Sequence, residues 1–321
     1  MLENTKGFKG FKKGLVCKGK QYTENAIHEE AKSEICKSGM HYCTNPFDVL
    51  DYYDLVNGDG SFNEFAPVEA MEEPKTDDGK KFCTTKLKVG AKLSFGCFVK
   101  VCVDYILEKT KFASNGCTET DGGNDSAKIG SSGDSAKIGS SGDSAQIGSS
   151  GDYAQIGSSG DYAQIGSSGH YAKIGSSGDY AKIGSSGHSA QIGSSGDSAQ
   201  IGSSGDSAQI GSSGDYAKIG SSGHYAKIGS SGDYAKIGSS GDYAQIGSSG
   251  EDSVVCCAGH ASRVKAKRGS WITLSEWKYS GEKERFIPIC VKTEFVDGER
   301  IKADTWYRLE TGEFVECEEA K

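Results

Sequence analysis

Cys17, Cys36, His41 and Cys43 are residue types that bind zinc or act as nucleophiles, and they fall close together near the N-terminus. Their Cys-x4-His-x-Cys spacing differs from a zinc knuckle, which pairs cysteines two apart. Small buried cysteines are the plainer expectation. A thiol nucleophile at Cys43 served by His41 rests on their nearness in sequence alone. Leu55-Val-Asn57-Gly-Asp59-Gly60 has the look of a calcium loop, yet Leu55 and Ala66 stand where the anchoring carboxylates belong. Asn57-Gly58 reads instead as a turn. No Ser-His-Asp order, phosphate loop or carboxylate pair stands out, so no catalytic residue and no cofactor is expected. Ca2+ and Zn2+ are the ions these residue types could take.

The second chemistry-bearing set is repetitive. Residues 125 to 250 are fourteen unbroken copies of Asp-(Ser/Tyr)-Ala-(Lys/Gln)-Ile-Gly-Ser-Ser-Gly. Position two carries Tyr153, Tyr162, Tyr171, Tyr180, Tyr216, Tyr225, Tyr234 and Tyr243, and position four carries Lys173, Lys182, Lys218, Lys227 and Lys236 among others. His170, His188 and His224 replace Asp in even-numbered copies. Ladders of tyrosine and lysine suit a macromolecular interface. Cross-strand packing is the simpler role for the tyrosines.

Ile recurs at every ninth position from 129 to 246, which a flexible Gly/Ser linker does not require. Asp-Tyr-Ala-Lys-Ile alternates as a strand, with Ala and Ile on one side and Tyr/Ser and Lys/Gln on the other. Gly-Ser-Ser-Gly reads as the turn. One nonapeptide is too short for a full coil, so two make an 18-residue turn. The expected fold is mainly β: a two-sided parallel β-roll, or β-solenoid, of about seven coils with rungs about 4.8 Å apart and a height of roughly 34 Å. Calcium β-rolls share the period, but here Asp lies four residues before Ile rather than two. An Asp accepting backbone amides of its own or a neighbouring turn is the expected role.

The array divides the 321-residue chain into three. Residues 1–113 read as an α+β domain serving as an N-terminal cap or effector. Residues 114–268 form the solenoid, and 269–321 an antiparallel β cap. In the first part, strands are expected at 7–11, 15–17, 40–43, 61–71 and 81–89. A short helix is capped by Asn45 with Pro46 at its first position. A second helix runs from Ser94 to Lys109 with Phe98, Val101, Cys102, Tyr105 and Ile106 on one face. Residues 114–124 look like a degenerate coil, and Val255 and Val264 continue the ninefold phase. Beyond Ser270, a single meander carrying Trp271, Trp277 and Trp306 closes the roll. Atypical ends are needed because an open roll exposes unpaired strand edges.

Eleven cysteines without an export-like N-terminus point to reduced thiols and the cytoplasm. The net charge is −8. Such a chain is a poor candidate for nonspecific nucleic-acid or membrane binding. Gly7-Phe-Lys-Gly-Phe11, Cys36-Lys-Ser-Gly-Met-His41-Tyr-Cys43-Thr-Asn45-Pro46 and Asp48-Val-Leu-Asp-Tyr-Tyr53 resemble an uncharacterised domain of phage and prophage proteins that is often followed by nonapeptide repeats. The resemblance spans about the first 110 residues. It implies a mobile-element setting, host cytoplasm as the compartment and a host or phage macromolecule as partner, and it brings no known reaction. Gly39-x-His41-Tyr42 before Asn45-Pro46 also resembles the strand-turn-helix of ADP-ribosyltransferases, making an N-terminal enzyme the alternative. The expected function is a noncatalytic repeat scaffold that displays its ladders to a partner. A charged-polymer mimic through the Asp edge is a third reading, and side-by-side pairing of two rolls is compatible with the ladders.

Overall fold

The computed structural model describes residues 5–56, 62–110, 118–121 and 125–318. The expected Asn57-Gly58 turn lies outside these residues. The N-terminal part contains β1 (Lys6–Phe11), β2 (Val16–Cys17), β3 (Lys20–Gln21), β4 (Ala26–Glu29), β5 (Met40–Cys43), β6 (Glu64–Ala70), β7 (Lys75–Thr76), β8 (Lys81–Thr84), β9 (Lys86–Val89) and α1 (Phe95–Thr110). Seven of the strands form an antiparallel sheet in the order β4-β9-β6-β1-β5-β8-β7, and β2 and β3 form a separate hairpin. One side of the sheet buries Phe11, Met40, Tyr42, Val68 and Leu87. The other buries Phe65 against α1, where the Phe65 and Phe98 rings stack 3.8 Å apart.

The helix opened by Pro46 is a 3-10 helix of six residues, Pro46–Asp51. Asn45 caps it by accepting the Phe47 N–H at 3.1 Å, and Ser94 caps α1 by accepting the Cys97 N–H at 3.2 Å. The strand expected across residues 81–89 is two, β8 and β9, which pair with different neighbours.

The roll has the expected 18-residue coil. Strand β10 (Thr118–Asp121), the fourteen repeat strands β11–β24 (Lys128–Ser131 through Gln245–Ser248), β25 (Val254–Cys257) and β26 (Arg263–Lys265) alternate between two parallel sheets. Each repeat residue pairs with its equivalent one coil away, Ile138 with Ile156 and Ile147 with Ile165. Ala and Ile fill the interior, as expected; burying one Ile contributes about 2 kcal/mol.

The phase of the strand differs from the expectation. The strand is Lys/Gln-Ile-Gly-Ser, and the corner is made by the next Ser-Gly-Asp-(Tyr/Ser). Alternation therefore turns the position-seven serines inward, where thirteen hydroxyls from Ser140 to Ser248 find no partner among the described residues. No contact explains serine rather than alanine there. Position two adopts a left-handed backbone, φ 58° at Tyr153 and 57° at Tyr180, at a cost of about 1 kcal/mol for a side-chain-bearing residue. Coil-to-coil bonds offset that cost. The Tyr153 N–H donates to His170 O at 2.8 Å, and the Asp152 N–H donates to Asp134 Oδ1 at 3.0 Å. All eleven repeat aspartates accept the amide one coil on in this way, as expected. His170 and His224 do the same through Nδ1.

Two expectations about the ends are corrected. The C-terminal segment is two hairpins rather than one meander. Strand β27 (Trp271–Ser280) continues one sheet in parallel and turns into β28 (Arg285–Phe295). Strand β29 (Tyr307–Glu310) joins the other sheet antiparallel to β26 and turns into β30 (Glu313–Glu316). Trp306 is buried in this cap while Trp271 is half exposed. The N-terminal domain does not sit on the end of the roll. It lies along one face, because α1 packs across β12, β14, β16 and β18.

The glycines of the repeat separate by position. A Cβ at Gly187, position nine, would fall on Gly169 O of the coil below, whereas a Cβ at Gly184, position six, meets nothing within 4 Å. Gly187→Ala is expected to destabilise the protein by about 2 kcal/mol or more. Gly184→Ala should leave stability unchanged or raise it by up to about 1 kcal/mol. Chemical denaturation of the two variants checks this ordering.

Candidate functional site

The two faces of the roll share one repeat and differ in what covers them. On the covered face, Val99 and Val103 of α1 rest on the stripe of position-six glycines, with Val103 at Gly157 and Gly175 and Val99 at Gly193. The position-four side chains flank that stripe and bond to the domain. Lys173, with a side chain only 9 % exposed, donates to Phe47 O at 2.9 Å and to Asp51 Oδ1 at 2.6 Å. Gln191 donates to Leu50 O at 3.2 Å. Gln209 accepts the Leu55 N–H at 2.9 Å and donates to Asp54 at 3.0 Å. Lys227 pairs with Asp54 at 3.2 Å. Lys173 and Lys227, expected in an exposed ladder, are thus engaged within the chain.

On the open face the corresponding side chains, Lys182, Lys218 and Lys236 with Gln164 and Gln200, stay clear of the domain. Together with the glycines between them they border a shallow trough of about 1100 Å3 along the roll. The tyrosines do not join that surface. Position two is a corner, so they line the two edges and stack in pairs, Tyr153 on Tyr171 at 5.1 Å and Tyr162 on Tyr180 at 5.0 Å, and likewise Tyr216 on Tyr234 and Tyr225 on Tyr243. The histidines share one edge, as their parity requires, with His170 stacked on His188 and His224 beside Asp242.

The N-terminal domain adds a cleft that the sequence reading did not anticipate. It has a volume of about 920 Å3 and is bordered by β1, β5, the β2–β3 hairpin, the 3-10 helix and Lys81 of β8. Cys17, Cys36, His41 and Cys43 all line it, so the fold does gather the four residues. Each is differently engaged. Cys17 Sγ accepts the Tyr53 hydroxyl at 2.8 Å, Cys36 Sγ accepts Lys81 Nζ at 3.0 Å, and burial pushes the Cys43 thiol up to about 12. His41 Nε2 accepts the Cys36 N–H at 3.0 Å, which occupies the lone pair a metal would need. Among the described residues no group of three or more His, Cys, Asp or Glu side chains is placed to hold a metal ion. A protonated thiol at Cys43 is also a poor nucleophile at neutral pH.

Lys9 stands at the back of the cleft, 4 % exposed, with its Nζ donating to His41 O at 2.8 Å and lying 5.5 Å from both the Phe11 and Tyr22 ring centroids. Burial holds its pKa below the ordinary lysine value. No carboxylate forms an ion pair with it among the described residues.

A family model for a domain of unknown function, DUF7666, matches residues 5–101. The match covers the N-terminal sheet and the first half of α1 and stops short of the repeats. No curated protein and no solved structure is significantly similar to the chain. No helix among the described residues is long and apolar enough to cross a membrane.

Burial, then the charges of Lys9, Lys18 and Lys81, hold His41 below the ordinary histidine value. A depressed folded value means that the unfolded chain takes up the proton first. Stability is therefore full above about pH 6.5 and falls as the pH drops below it. Comparing thermal unfolding at about pH 7.5 and about pH 5.5 should show a larger loss for the wild type than for His41→Gln, which keeps an acceptor and cannot titrate.

Proposed function

We propose that the chain is a structural scaffold in which a rigid β-solenoid carries the N-terminal domain on one face and presents the other to a macromolecular partner. The supporting observation is the inequality of two faces built from the same repeat. The covered face shows what the surface accommodates: β-branched side chains over glycine, with Lys and Gln bonding to main-chain carbonyls and carboxylates at the flanks. The open face offers the same chemistry over a comparable length, bordered by Lys128 at one end and Lys236 at the other. A partner bearing an amphipathic helix with acidic or free carbonyl groups beside its apolar ridge matches that pattern. The phage-like motif order of the first 110 residues favours a host macromolecule in the host cytoplasm.

The edges serve the roll itself. Each repeat aspartate gives one oxygen to the next coil's amide, and the tyrosines stack on each other. Mimicry of a charged polymer would have to use the remaining carboxylate oxygens, so the open face is the stronger candidate surface.

Gly184→Arg and Gly202→Arg place bulk on the open face where a Cβ meets nothing within 4 Å. Both variants should fold with unchanged melting temperature and lose a partner that the wild type captures at stoichiometric level. The double variant Tyr162→Ser, Tyr180→Ser should retain it. Retention by the Arg variants together with loss by the Tyr variant would move the site to the edge.

A further inference from the structure

The geometry points to the N-terminal cleft as a binding site for a small phosphate-bearing anion of about nucleotide size. Within a chain of net charge −8, this cleft concentrates Lys9, Lys12, Lys18, Lys20, Lys37 and Lys81 along its wall. The acidic residues lining it are Glu30 and Asp54. Glu30 is held by Lys20 at 2.9 Å and by the Gly39 N–H at 3.0 Å, and Asp54 is turned to Gln209 and Lys227 of the roll. Lys37 is paired with Glu34 at 2.7 Å, whereas Lys12 and Lys18 form no ion pair among the described residues. The cleft therefore carries a cationic excess that its own carboxylates leave uncompensated.

Lys9 is the second observation. An ammonium has three N–H donors, and this one, 4 % exposed, has His41 O and the Cys17 side chain as its hydrogen-bond partners and no carboxylate at ion-pair distance among the described residues. Burying a charge without a counter-ion is costly, and a bound anion supplies the missing acceptor. The third observation is backbone strain at the rim. Lys18-Gly19 forms the two-residue turn of the β2–β3 hairpin with φ 48° at Lys18 and 80° at Gly19. Asn or Gly is the usual residue at such a position, so a lysine costs stability and places a cation at the mouth of the cleft.

Size and walls set the ligand class. A volume of about 920 Å3 accepts more than an inorganic ion. Tyr52, half exposed and carrying Lys81 Nζ 4.6 Å from its ring centroid, offers an aromatic surface beside the cations. A phosphorylated molecule with a planar group uses both features. Phosphate is favoured over a lone carboxylate because several lysines converge and a phosphate presents three acceptor oxygens.

Isothermal titration of the full chain with ADP, pyrophosphate and adenosine at low salt tests the site, and it is independent of the open face of the roll. ADP is expected to bind saturably, more tightly than pyrophosphate, and adenosine not to bind. Equal affinity for ADP and pyrophosphate would still support the phosphate site and would assign recognition to phosphate alone. Lys9→Met, which keeps the aliphatic stem, should weaken ADP binding at least tenfold. Lys18→Asn relieves the turn, so it should match or exceed the wild-type melting temperature while binding ADP several-fold more weakly. That pairing keeps the test valid if Lys9→Met fails to fold. Lys182→Ala with Lys218→Ala, on the roll, should leave binding unchanged. Absence of saturable binding by the wild type, ADP binding that Lys18→Asn leaves unchanged, or binding that the roll variant weakens as much as Lys18→Asn does would each overturn the assignment.

Discussion

A side chain at position nine of the third or any later repeat would collide with the carbonyl oxygen of the glycine one coil below, as Gly151 shows against Gly133 and Gly250 against Gly232. That contact follows from parallel, in-register stacking, in which every residue lies directly over its equivalent eighteen positions away. Rungs of a parallel sheet are about 4.8 Å apart, and a corner that folds back within that spacing leaves no room for a Cβ. The other constant residues follow from the same geometry. Ala and Ile fill a narrow interior, and Asp reaches the amide directly above it. The fourteen copies differ at positions two and four, which point outward with bulk, and at position one, where His170, His188 and His224 stand in for Asp and His170 and His224 accept the same amide.

Stacking that fixes the roll also produces two equivalent faces, and the N-terminal domain removes the equivalence. Its helix is buried twice, once against the domain's own sheet through Phe98 and Cys102 and once against glycines of the roll through Val99 and Val103. Bonds from Lys173, Gln191, Gln209 and Lys227 to the 3-10 helix and the residues after it fix the register of that docking. The result is a stiff body with one surface used internally, one left open, and a cationic cleft in the attached domain.

Much of the roll was legible because its period is strict. Ile every nine residues gives burial, and the length of a corner gives two repeats per coil. The strand phase was not legible, since Asp-Tyr-Ala-Lys-Ile alternates convincingly as a strand. Only backbone angles reveal that the tyrosine is a left-handed corner and that the serine after Ile-Gly points inward. The side-on docking was hidden for a related reason. A stripe chosen for one buried face of α1 includes Phe98, Cys102 and Ile106, and Val99 and Val103 fall outside it because they serve a second face. The cysteine and histidine set was visible in the sequence as a group, and the fold does bring it to one cleft. Its partners, Lys9, Lys81 and Tyr53, are separated from it by strands and could not be read from spacing.

Lysine reactivity measured by brief acetylation of the native protein and mass spectrometry tests the central arrangement most directly. If the N-terminal domain lies along the roll as described, Lys173 should be strongly protected and Lys227 partly so, while Lys182, Lys218 and Lys236 react freely. Equal labelling of Lys173 and Lys182, which share the same repeat position and the same sequence neighbours, would contradict it.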